Sequence, residues 1–404
     1  MVYTKKEVMQ YVVEEDVKFI RLAFCDIYGN QKNISVMPGE LERAFDEGVV
    51  IDASAIHGFG GEVYSDLLLV PDPSTLAVLP WRPNHGKVVR MFCSIIYPGG
   101  KPFELDSRRI LKDAVKHAMS RGYTFSFGAE LVFYLFKTDD EGNPTDIPYD
   151  NAHYMDIAPM DKGENIRREI CLTLEQMGIK PESSHHEEGP GQNEVAFRFS
   201  DPLTAADNAV TFISVVKIVA ARNGLHVNLM PKPIPDKPGN NFHINISVRG
   251  INDDGDLFPY AIAGVMNRIE DMTVFLNPTE NSYERLGTNK APKYITWSAE
   301  NRSQLIRIPA VTSREHKRFE LRSPDAQANP YLAYALIIHA VAEGIENGEM
   351  PDVAVNRNLY SLSESECADF KRLPKTICAA KEKAENSEFI KRVLPEAMIR
   401  NYCK

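Results

Sequence analysis

Polar and apolar residues alternate strictly over residues 242–248 of the chain. Side chains of a β-strand point to opposite faces in turn, so one face of this segment is apolar and can cover a core. The other face presents an imidazole, an amide and a hydroxyl in a row, from His243, Asn245 and Ser247. Taken alone, the pattern is more typical of a sheet with one solvated face than of a functional site.

The same arrangement of polar residues on one strand face occurs in two further segments. Arg318, Glu320 and Arg322 alternate with apolar residues, and Glu130 lies in a long predicted strand over residues 123–136. Each such acid, considered alone, is more often a solvated surface group. Their recurrence on several predicted strands instead indicates a polar funnel lined by one sheet.

A fourth segment, from His185 to Glu194, carries two more candidate acids, Glu187 and Glu194. Because these two are seven positions apart, a straight strand would place them on opposite faces. The intervening Gly-Pro-Gly, at residues 189–191, favours a turn that brings both carboxylates to one site. The four segments then offer mainly oxygen ligands and one imidazole, which suits Mg²⁺ or Mn²⁺ better than Zn²⁺.

Several arginines supply the opposite charge. Arg285, Arg302 and Arg307 carry planar forks that suit carboxylates and phosphates, although any one of them could instead form a surface ion pair. Divalent metals beside arginines suit phosphoryl transfer onto a carboxylate. The chain contains neither GxxxxGK[ST] nor GxGxxG, so neither a P-loop nor a Rossmann nucleotide site is expected.

Apolar periodicity predicts helices between these strands. Thr4 and Ser107 are predicted N-caps, and Val13 is predicted to point inward. The predicted helices cover residues 4–14, 40–47, 107–121, 161–177 and 207–223, begin again at 329, and continue as a charged helical tail from about 363. The turn-rich residues 98–102 mark a domain boundary. We therefore predict an α+β protein with a small N-terminal domain, residues 1–102, and a larger domain, residues 103–404.

Composition narrows the partners and the compartment. The 404 residues carry 46 Lys and Arg against 56 Asp and Glu, with no basic run, which argues against a nucleic-acid partner. The 6 cysteines show no CxxC pattern and are expected to be reduced thiols of a cytoplasmic protein. The longest apolar run is shorter than the roughly 20 residues that span a membrane, so no membrane partner is expected.

In this order along the chain, the segments resemble the glutamine synthetase family. The blocks that carry the resemblance are residues 52–59, 128–136, 185–194, 230–233, 239–247, 277–283, 301–309, 318–322 and 329–332. The resemblance implies an N-terminal β-grasp domain and a catalytic domain with a curved antiparallel sheet and flanking helices. It also implies a ring-shaped homo-oligomer, commonly a dodecamer, whose active sites are shared between neighbouring subunits.

The resemblance also implies roles for individual positions. The implied metal ligands are Glu130, Glu187, Glu194, His243 and Glu320. The positions implied to bind substrate are Tyr154, Gly239, Arg285, Arg302 and Arg322. The positions implied to bind ATP are Glu182, Phe199, Asn245, Ser247, Arg307 and Arg318. The positions implied to take part in catalysis are Asp52, from the adjacent subunit, Arg302 and Lys290.

Five positions depart from the family pattern, among them Ala55, which stands where a serine is usual. Val132 replaces a metal-binding glutamate, and Asn245 replaces a second imidazole. Glu315 stands where many members place an ATP-facing lysine. Lys290 occupies the place of the glutamate that attracts ammonium and takes its proton, in a loop that is one residue shorter. We expect a weakened second metal site, with two glutamates, and poor use of ammonia.

These observations predict a cytoplasmic ligase that depends on ATP and on Mg²⁺ or Mn²⁺. It is expected to form a γ-glutamyl amide from glutamate, or a related acid, through an acyl phosphate, with an amine other than ammonia. Ordinary glutamine synthesis, with Asp52 compensating for the lost acid, is one alternative. A catalytically impaired, regulatory oligomer that binds nucleotide or glutamate is another. Tyr360 lies in a stretch that resembles the segment some members adenylylate.

Overall fold

The computed structural model describes residues 3–59, 66–82, 86–252, 255–288, 290–310 and 317–404. The helices in these ranges are α1 Lys5–Glu14, α2 Leu41–Asp46, α3 Ser107–Ser120, α4 Glu164–Gln176, α5 Pro202–Arg222, α6 Phe258–Leu276, α7 Glu280–Arg285, α8 Pro330–Asn347, α9 Ile377–Asn386, α10 Glu388–Val393 and α11 Glu396–Cys403. The strands are β1 Val17–Cys25, β2 Gln31–Val36, β3 Val49–Asp52, β4 Asp66–Pro71, β5 Ala77–Val78, β6 Lys87–Ile96, β7 Tyr123–Thr138, β8 Pro144–Pro148, β9 Pro181–His186, β10 Gln192–Ser200, β11 Leu225–Asn228, β12 Phe242–Gly250, β13 Trp297–Ser298, β14 Ile306–Arg307 and β15 Phe319–Leu321.

The N-terminal part is one six-stranded sheet with short helices. Its strands lie in the order β2-β1-β6-β4-β3, with β5 paired to β6. Strand β1 pairs antiparallel with β2 and parallel with β6, so the sheet is mixed. Helix α1 is capped by Thr4, as predicted, and buries Val8 and Val12. The inward prediction for Val13 is wrong, because its side chain is 79% exposed on the opposite side of the helix.

The larger part is built on a nine-stranded sheet. Its strands lie in the order β13-β14-β15-β12-β7-β10-β9, and β8 and β11 also pair with β7. The pairings are antiparallel except that between β13 and β14. Strand β7 sits at the centre, with β12 on one side and β10 on the other. The predicted α+β fold is confirmed, with the correction that both sheets are mixed.

Helices α3, α5, α6 and α8 form the core of this part, and α3 and α5 also contact β7. The Tyr334 ring of α8 stacks on Phe127 of β7, with 4.3 Å between the ring centroids. Helices α6 and α8 cross closely at two glycines, where a Cβ on Gly264 would lie 2.2 Å from the carbonyl oxygen of Ala340. This approach requires residues without a side chain.

Helix α5 is, by length and composition, the one helix of the described ranges that could cross a membrane. In this protein it is a core helix, since 61% of its most apolar window is buried.

Several predicted helix ends shift for reasons of capping. Asp106, and not Ser107, caps α3, because its carboxylate accepts hydrogen bonds from the backbone N–H groups of Arg108 and Arg109. Helix α5 begins five residues before the predicted start, with Asp201 as cap and Pro202 at the first helical position, which suits proline. Helix α4 begins at residue 164 rather than 161, and the helices of the tail begin only at residue 377.

Candidate active site

Glu130, His243 and Glu320 lie together on three neighbouring strands of the large sheet. Glu130 on β7 is directly opposite His243 on β12, and β15 carries Glu320 along the other edge of β12. His243 Nδ1 lies 3.5 Å from Glu130 Oε2 and 3.4 Å from Glu320 Oε1. The imidazole Nε2 is buried and has no partner among the described residues. Two carboxylates and an imidazole with ligand atoms within 4.8 Å of one another fit a divalent metal ion.

Two arginines also contact the Glu320 carboxylate. Arg307 Nη1 donates a hydrogen bond to Glu320 Oε2 at 2.9 Å, and Arg322 Nη1 donates to Oε1. Burial alone would raise the pKa of Glu320, but Arg322, His243 and Arg307 outweigh burial and lower this pKa to about 2. Glu320 is therefore ionised at neutral pH, and a metal ion would share it with two guanidinium groups.

Asn245 connects this cluster to a further arginine. Its Nδ2 donates to Glu130 Oε1 at 2.9 Å, and its Oδ1 accepts from Arg318 Nε at 3.2 Å. The residue that replaces the expected second imidazole thus supports one metal-ligand candidate and orients an arginine predicted to face ATP.

His185, Glu187 and Glu194 form a second cluster beside the first. The backbone N–H of Glu187 donates to the carbonyl of Gln192 at 2.8 Å, which closes the turn between β9 and β10. The predicted turn is therefore present, and one ligand atom from each member of the cluster lies within 4.8 Å of the others. Burial and the neighbouring Glu194 carboxylate raise the pKa of Glu187, so a cation between the two acids would relieve their repulsion.

His185 was not among the residues predicted to bind metal. Its Nδ1 lies 3.1 Å from the carbonyl oxygen of His186 and can donate to it, while its Nε2 lies 3.3 Å from Glu194 Oε1. A ring N–H that donates to a backbone carbonyl leaves the other nitrogen as a ligand, the usual arrangement in metal sites. His185 could have been found from the sequence, since it precedes Glu187 by two residues and shares its strand face.

Val132 lies opposite Glu194 across the β7–β10 pair and is fully buried. The carboxylate expected at this position in the family is absent, as the sequence indicates. The second cluster nevertheless has three donor groups, because His185 stands next to the two glutamates. A site formed by the two glutamates alone stays a prediction, and His185 is a third candidate ligand beside them.

A buried network supports the second cluster from behind. His186 Nδ1 lies 2.6 Å from the carbonyl oxygen of Glu187, and its Nε2 lies 2.9 Å from Asp150 Oδ1. Asp150 Oδ1 also accepts from the backbone N–H of Gly191 at 2.8 Å. The turn that carries Glu187 and Glu194 is thereby fixed by side chains on neighbouring loops.

Two cavities meet at these clusters, with volumes of about 270 and 290 Å³. Both are lined by Glu130, Tyr154, His185, Glu194 and Arg302. Predicted residues that line only the first cavity are Glu187, Gly239, His243, Lys290 and Arg322. Predicted residues that line only the second are Glu182, Phe199, Asn245, Arg307 and Arg318. The sheet thus brings most of the predicted site residues together.

Four predicted site residues line neither cavity: Glu320, which is buried within the first cluster, and Asp52, Ser247 and Arg285. Asp52 is exposed at the end of β3 and accepts hydrogen bonds from the backbone and hydroxyl of Ser54. Ser247 lies farther along β12, opposite Ser126. Arg285 is fully buried, and its guanidinium donates to Asn241 Oδ1 and to backbone carbonyls of residues 322 and 323.

In this structure Arg285 therefore contacts residues that form the wall of the first cavity and does not line the cavity itself. A Cβ on Gly239, which lines the first cavity, would lie 2.8 Å from Arg285 Cγ. Contact between Arg285 and substrate stays a prediction from the resemblance. Glu315, the other unusual position near the predicted ATP site, lies outside the described residues.

Lys290 lines the mouth of the first cavity. Its ammonium forms an ion pair with Glu188, and its side chain is 41% exposed. The ammonium also lies 5.3 Å from the centroid of the Tyr154 ring, which in turn packs edge-on against His185. The lysine thus lines the site, as the sequence predicts, and it pairs there with Glu188, a carboxylate that was not among the predicted site residues.

Comparison with protein families identifies both parts of the chain. The β-grasp domain of glutamine synthetase matches residues 16–98, and the glutamine synthetase catalytic domain matches residues 104–404. The chain belongs to the glutamine synthetase family. It is therefore an ATP-dependent ligase that forms carbon–nitrogen bonds. The resemblance seen in the sequence is confirmed.

Individual relatives agree with this assignment. A glutamine synthetase of Clostridium saccharobutylicum is 41% identical, over 99% of this chain and 93% of the relative. One of Methanosarcina mazei is 42% identical, over 99% and 92%. Among solved structures, GmaS in complex with ADP matches with a TM-score of 0.88 and 27% identity, over 98% of this chain and 93% of that chain. GmaS without ligand matches equally well, over 98% and 94%.

Proposed function

We propose that this family member is a cytoplasmic ligase that joins the γ-carboxylate of glutamate, or of a closely related acid, to an amine other than ammonia. The observation that carries the proposal is the pair of donor clusters at the meeting point of two cavities, with Lys290 at the mouth of one of them. The clusters supply the chemistry of phosphoryl transfer, and the lysine distinguishes the amine.

The second cavity is suited to ATP. Phe199 lines it together with Arg307 and Arg318, which supply an aromatic surface and two cations for phosphates. The complex of GmaS with ADP, a protein of the same fold, supports a nucleotide here. The clusters around Glu130 and Glu187 would hold Mg²⁺ or Mn²⁺. Such ions, when bound, neutralise phosphate charge.

Arg302 is placed to act on the group in transfer. It lines both cavities, and within the described ranges it forms no ion pair or side-chain hydrogen bond. A γ-carboxylate oxygen of glutamate would attack the γ-phosphorus of ATP. The bond from this phosphorus to the bridging oxygen would break, and ADP would leave with that oxygen and the electron pair of the bond. An unpaired guanidinium at this point stabilises the charge that develops on the phosphoryl group.

The amine would then attack the acyl carbon, and inorganic phosphate would leave. The attacking nitrogen must lose a proton, and Glu188, paired with Lys290, is a carboxylate at the mouth of the cavity that can take it. Two unit charges about 4 Å apart interact by roughly 4 kcal/mol at an effective dielectric of 20. Lys290 therefore disfavours a small ammonium ion, and Glu188 offsets only part of this repulsion.

A turnover screen tests the proposal. The protein would be given ATP, Mg²⁺ and glutamate with ammonia, methylamine or glycine, and both phosphate release and the amide product would be measured. We expect turnover with glycine, an amine that also carries a carboxylate, to exceed that with ammonia, because methylammonium has the same positive charge as ammonium. Replacing Lys290→Met should raise the use of ammonia by about tenfold or more, since this removes a repulsion of at least about 1.4 kcal/mol.

Lys293→Met is the matched control, because Lys293 forms an ion pair with Glu364 and lines neither cavity. It should leave the preference among amines unchanged. Faster turnover with ammonia than with every other amine would contradict the proposed specificity. Absence of ATP turnover with all amines, together with retained ADP binding, would favour the alternative of a regulatory nucleotide-binding oligomer.

A further inference from the structure

A third cavity, of about 520 Å³, lies between the N-terminal sheet and the larger part of the chain. It shares no lining residue with the two cavities of the active site. Tyr11, Leu76 and Phe92 line it from the N-terminal part, and Met177 and Ile179 from the other. Its volume is that of a small-molecule site, and its wall combines apolar side chains with polar and charged ones.

Arg90 is the feature that sets this cavity apart. The residue is on β6, lines the cavity and is only 6% exposed. Its Nη1 is buried without a hydrogen-bond partner, and Arg90 forms no ion pair with any described residue. The guanidinium packs instead on the Phe92 ring, with 4.0 Å from its carbon to the ring centroid. A buried charge is normally paired, so this cation lacks its expected partner.

The acid that lines the same cavity, Asp207, is already paired with other residues. Arg108 donates to both of its carboxylate oxygens, each at 2.9 Å. The Tyr331 hydroxyl donates to the same carboxylate at 2.7 Å. Burial lowers the pKa of Arg90 only to about 10, so the guanidinium keeps its charge at neutral pH.

We propose that this cavity binds a small organic monocarboxylate, whose carboxylate pairs with Arg90 and whose apolar body packs against Leu76, Phe92 and Ile179. One guanidinium matches a single negative charge in a bidentate pair. A phosphate dianion would fit less well, because Asp207 is also in the wall. Asn208, which lines the cavity and is half-buried, offers an amide for a further polar group of the ligand.

The binding of 4-methylpentanoate to the full-length protein, measured by calorimetry and by thermal shift, tests this site. Its uncharged analogue 4-methylpentanamide serves as the matched ligand control. We expect saturable binding of the acid and at least about tenfold weaker binding of the amide, because a charge-assisted hydrogen bond is lost. Arg90→Met should weaken binding of the acid by a similar factor. Thr204→Trp, at an exposed position of the cavity wall, should block it without touching the core.

Two further arginine variants test whether binding of the acid depends on Arg90 in particular. Arg43→Met changes an arginine that forms a surface ion pair with Glu40, and it should bind the acid as the unmodified protein does. Arg302→Met changes the active-site arginine and should also leave this binding intact. Equal binding of acid and amide, loss of binding in Arg302→Met, or no saturation by the acid would each overturn the proposal. None of these results depends on which amine the ligase uses.

Discussion

The second donor cluster shows how one residue can change the interpretation of a site. Val132 removes a carboxylate, and from the sequence this predicts one strong and one weak metal site. In the structure His185 stands beside Glu187 and Glu194, so both clusters have three donor groups. The first cluster, by contrast, shares Glu320 with two arginines. The number of ligands therefore no longer predicts which site is weaker.

Replacing His185→Ala tests whether this imidazole holds a metal ion. We expect one of two Mn²⁺ sites to weaken by about tenfold or more, because a ligand or its support is lost. Calorimetric titration of the protein with Mn²⁺ measures both sites. His153→Ala is the matched control, since His153 is an exposed histidine in the loop before this cluster. Unchanged Mn²⁺ affinity in His185→Ala would mean that the two glutamates alone form the site.

At the scale of elements, register and close packing decide where these side chains lie. Strand β7 pairs with β12 and β10, and those pairings set Glu130 opposite His243 and Val132 opposite Glu194. A shift of one residue in either pair would turn these side chains to the other face. Helices α3 and α5 pack on β7, and α6 crosses α8 closely at Gly264 and Gly344.

Replacing Gly344→Ala tests that crossing. A Cβ there would lie 2.4 Å from the carbonyl oxygen of Tyr260 and 2.6 Å from Gly264 Cα, so the helices must separate. We expect the free energy of unfolding to fall by about 1–3 kcal/mol despite the better helix propensity of alanine. Gly39→Ala, with no atom within 4 Å of its added Cβ, should cost far less. Urea denaturation compares the two, and equal effects would show that the crossing tolerates a methyl group.

At the scale of the whole molecule, the interface between the two parts depends on buried charge. Asp72 follows β4 and accepts from Arg108, on α3, at 3.1 Å. Burial opposes ionisation of Asp72, but the Ser74 hydrogen bond and the Arg108 charge outweigh it and lower its pKa. Because the folded pKa is below the unfolded value of about 3.9, the stabilisation is present above about pH 4. It is lost as the pH falls through the folded pKa.

Asp72→Asn should therefore lower the free energy of unfolding at pH 7, by about 1–3 kcal/mol. The difference from the unmodified protein should shrink as the pH falls below about 4. Urea unfolding at a series of pH values measures it. Asp46→Asn removes a surface ion pair with Lys5 and should cost less than about 1 kcal/mol at every pH. A difference for Asp72→Asn that does not depend on pH would contradict this account.

Asp52 is the predicted catalytic residue that depends on assembly, because it is expected to act in the active site of a neighbouring subunit. Its carboxylate is exposed and lies away from both active-site cavities of its own chain. If it serves the site of a neighbouring subunit, mixed oligomers of Asp52→Ala and Arg302→Ala should recover part of the ligase activity that each variant lacks alone. Each variant, dissociated and reassembled by itself, is the control. A fully active monomer would rule out a shared site.

Local sequence patterns were sufficient to predict the alternation of β12, the turn between Glu187 and Glu194, and the family. These follow from local rules: strand period, turn chemistry and the order of recognisable blocks. The sequence also indicated correctly that Lys290 lines the site. Helix ends were less well determined, since Asp106 and Asp201 cap helices through contacts that depend on the exact path of the chain.

Which charged and polar groups pair with one another follows from the folded arrangement of strands and loops. Glu188 reaches Lys290, two arginines reach Glu320, and Asn245 joins Glu130 to an arginine, all across strands or loops far apart in the chain. The resemblance predicts that Arg285 binds substrate, and in the structure it is buried against backbone carbonyls. Arg90 reads as an ordinary strand residue, and only the packing of two domains leaves it buried and unpaired. Burial and pairing are properties of the whole packing, and a linear pattern of residue types does not contain them.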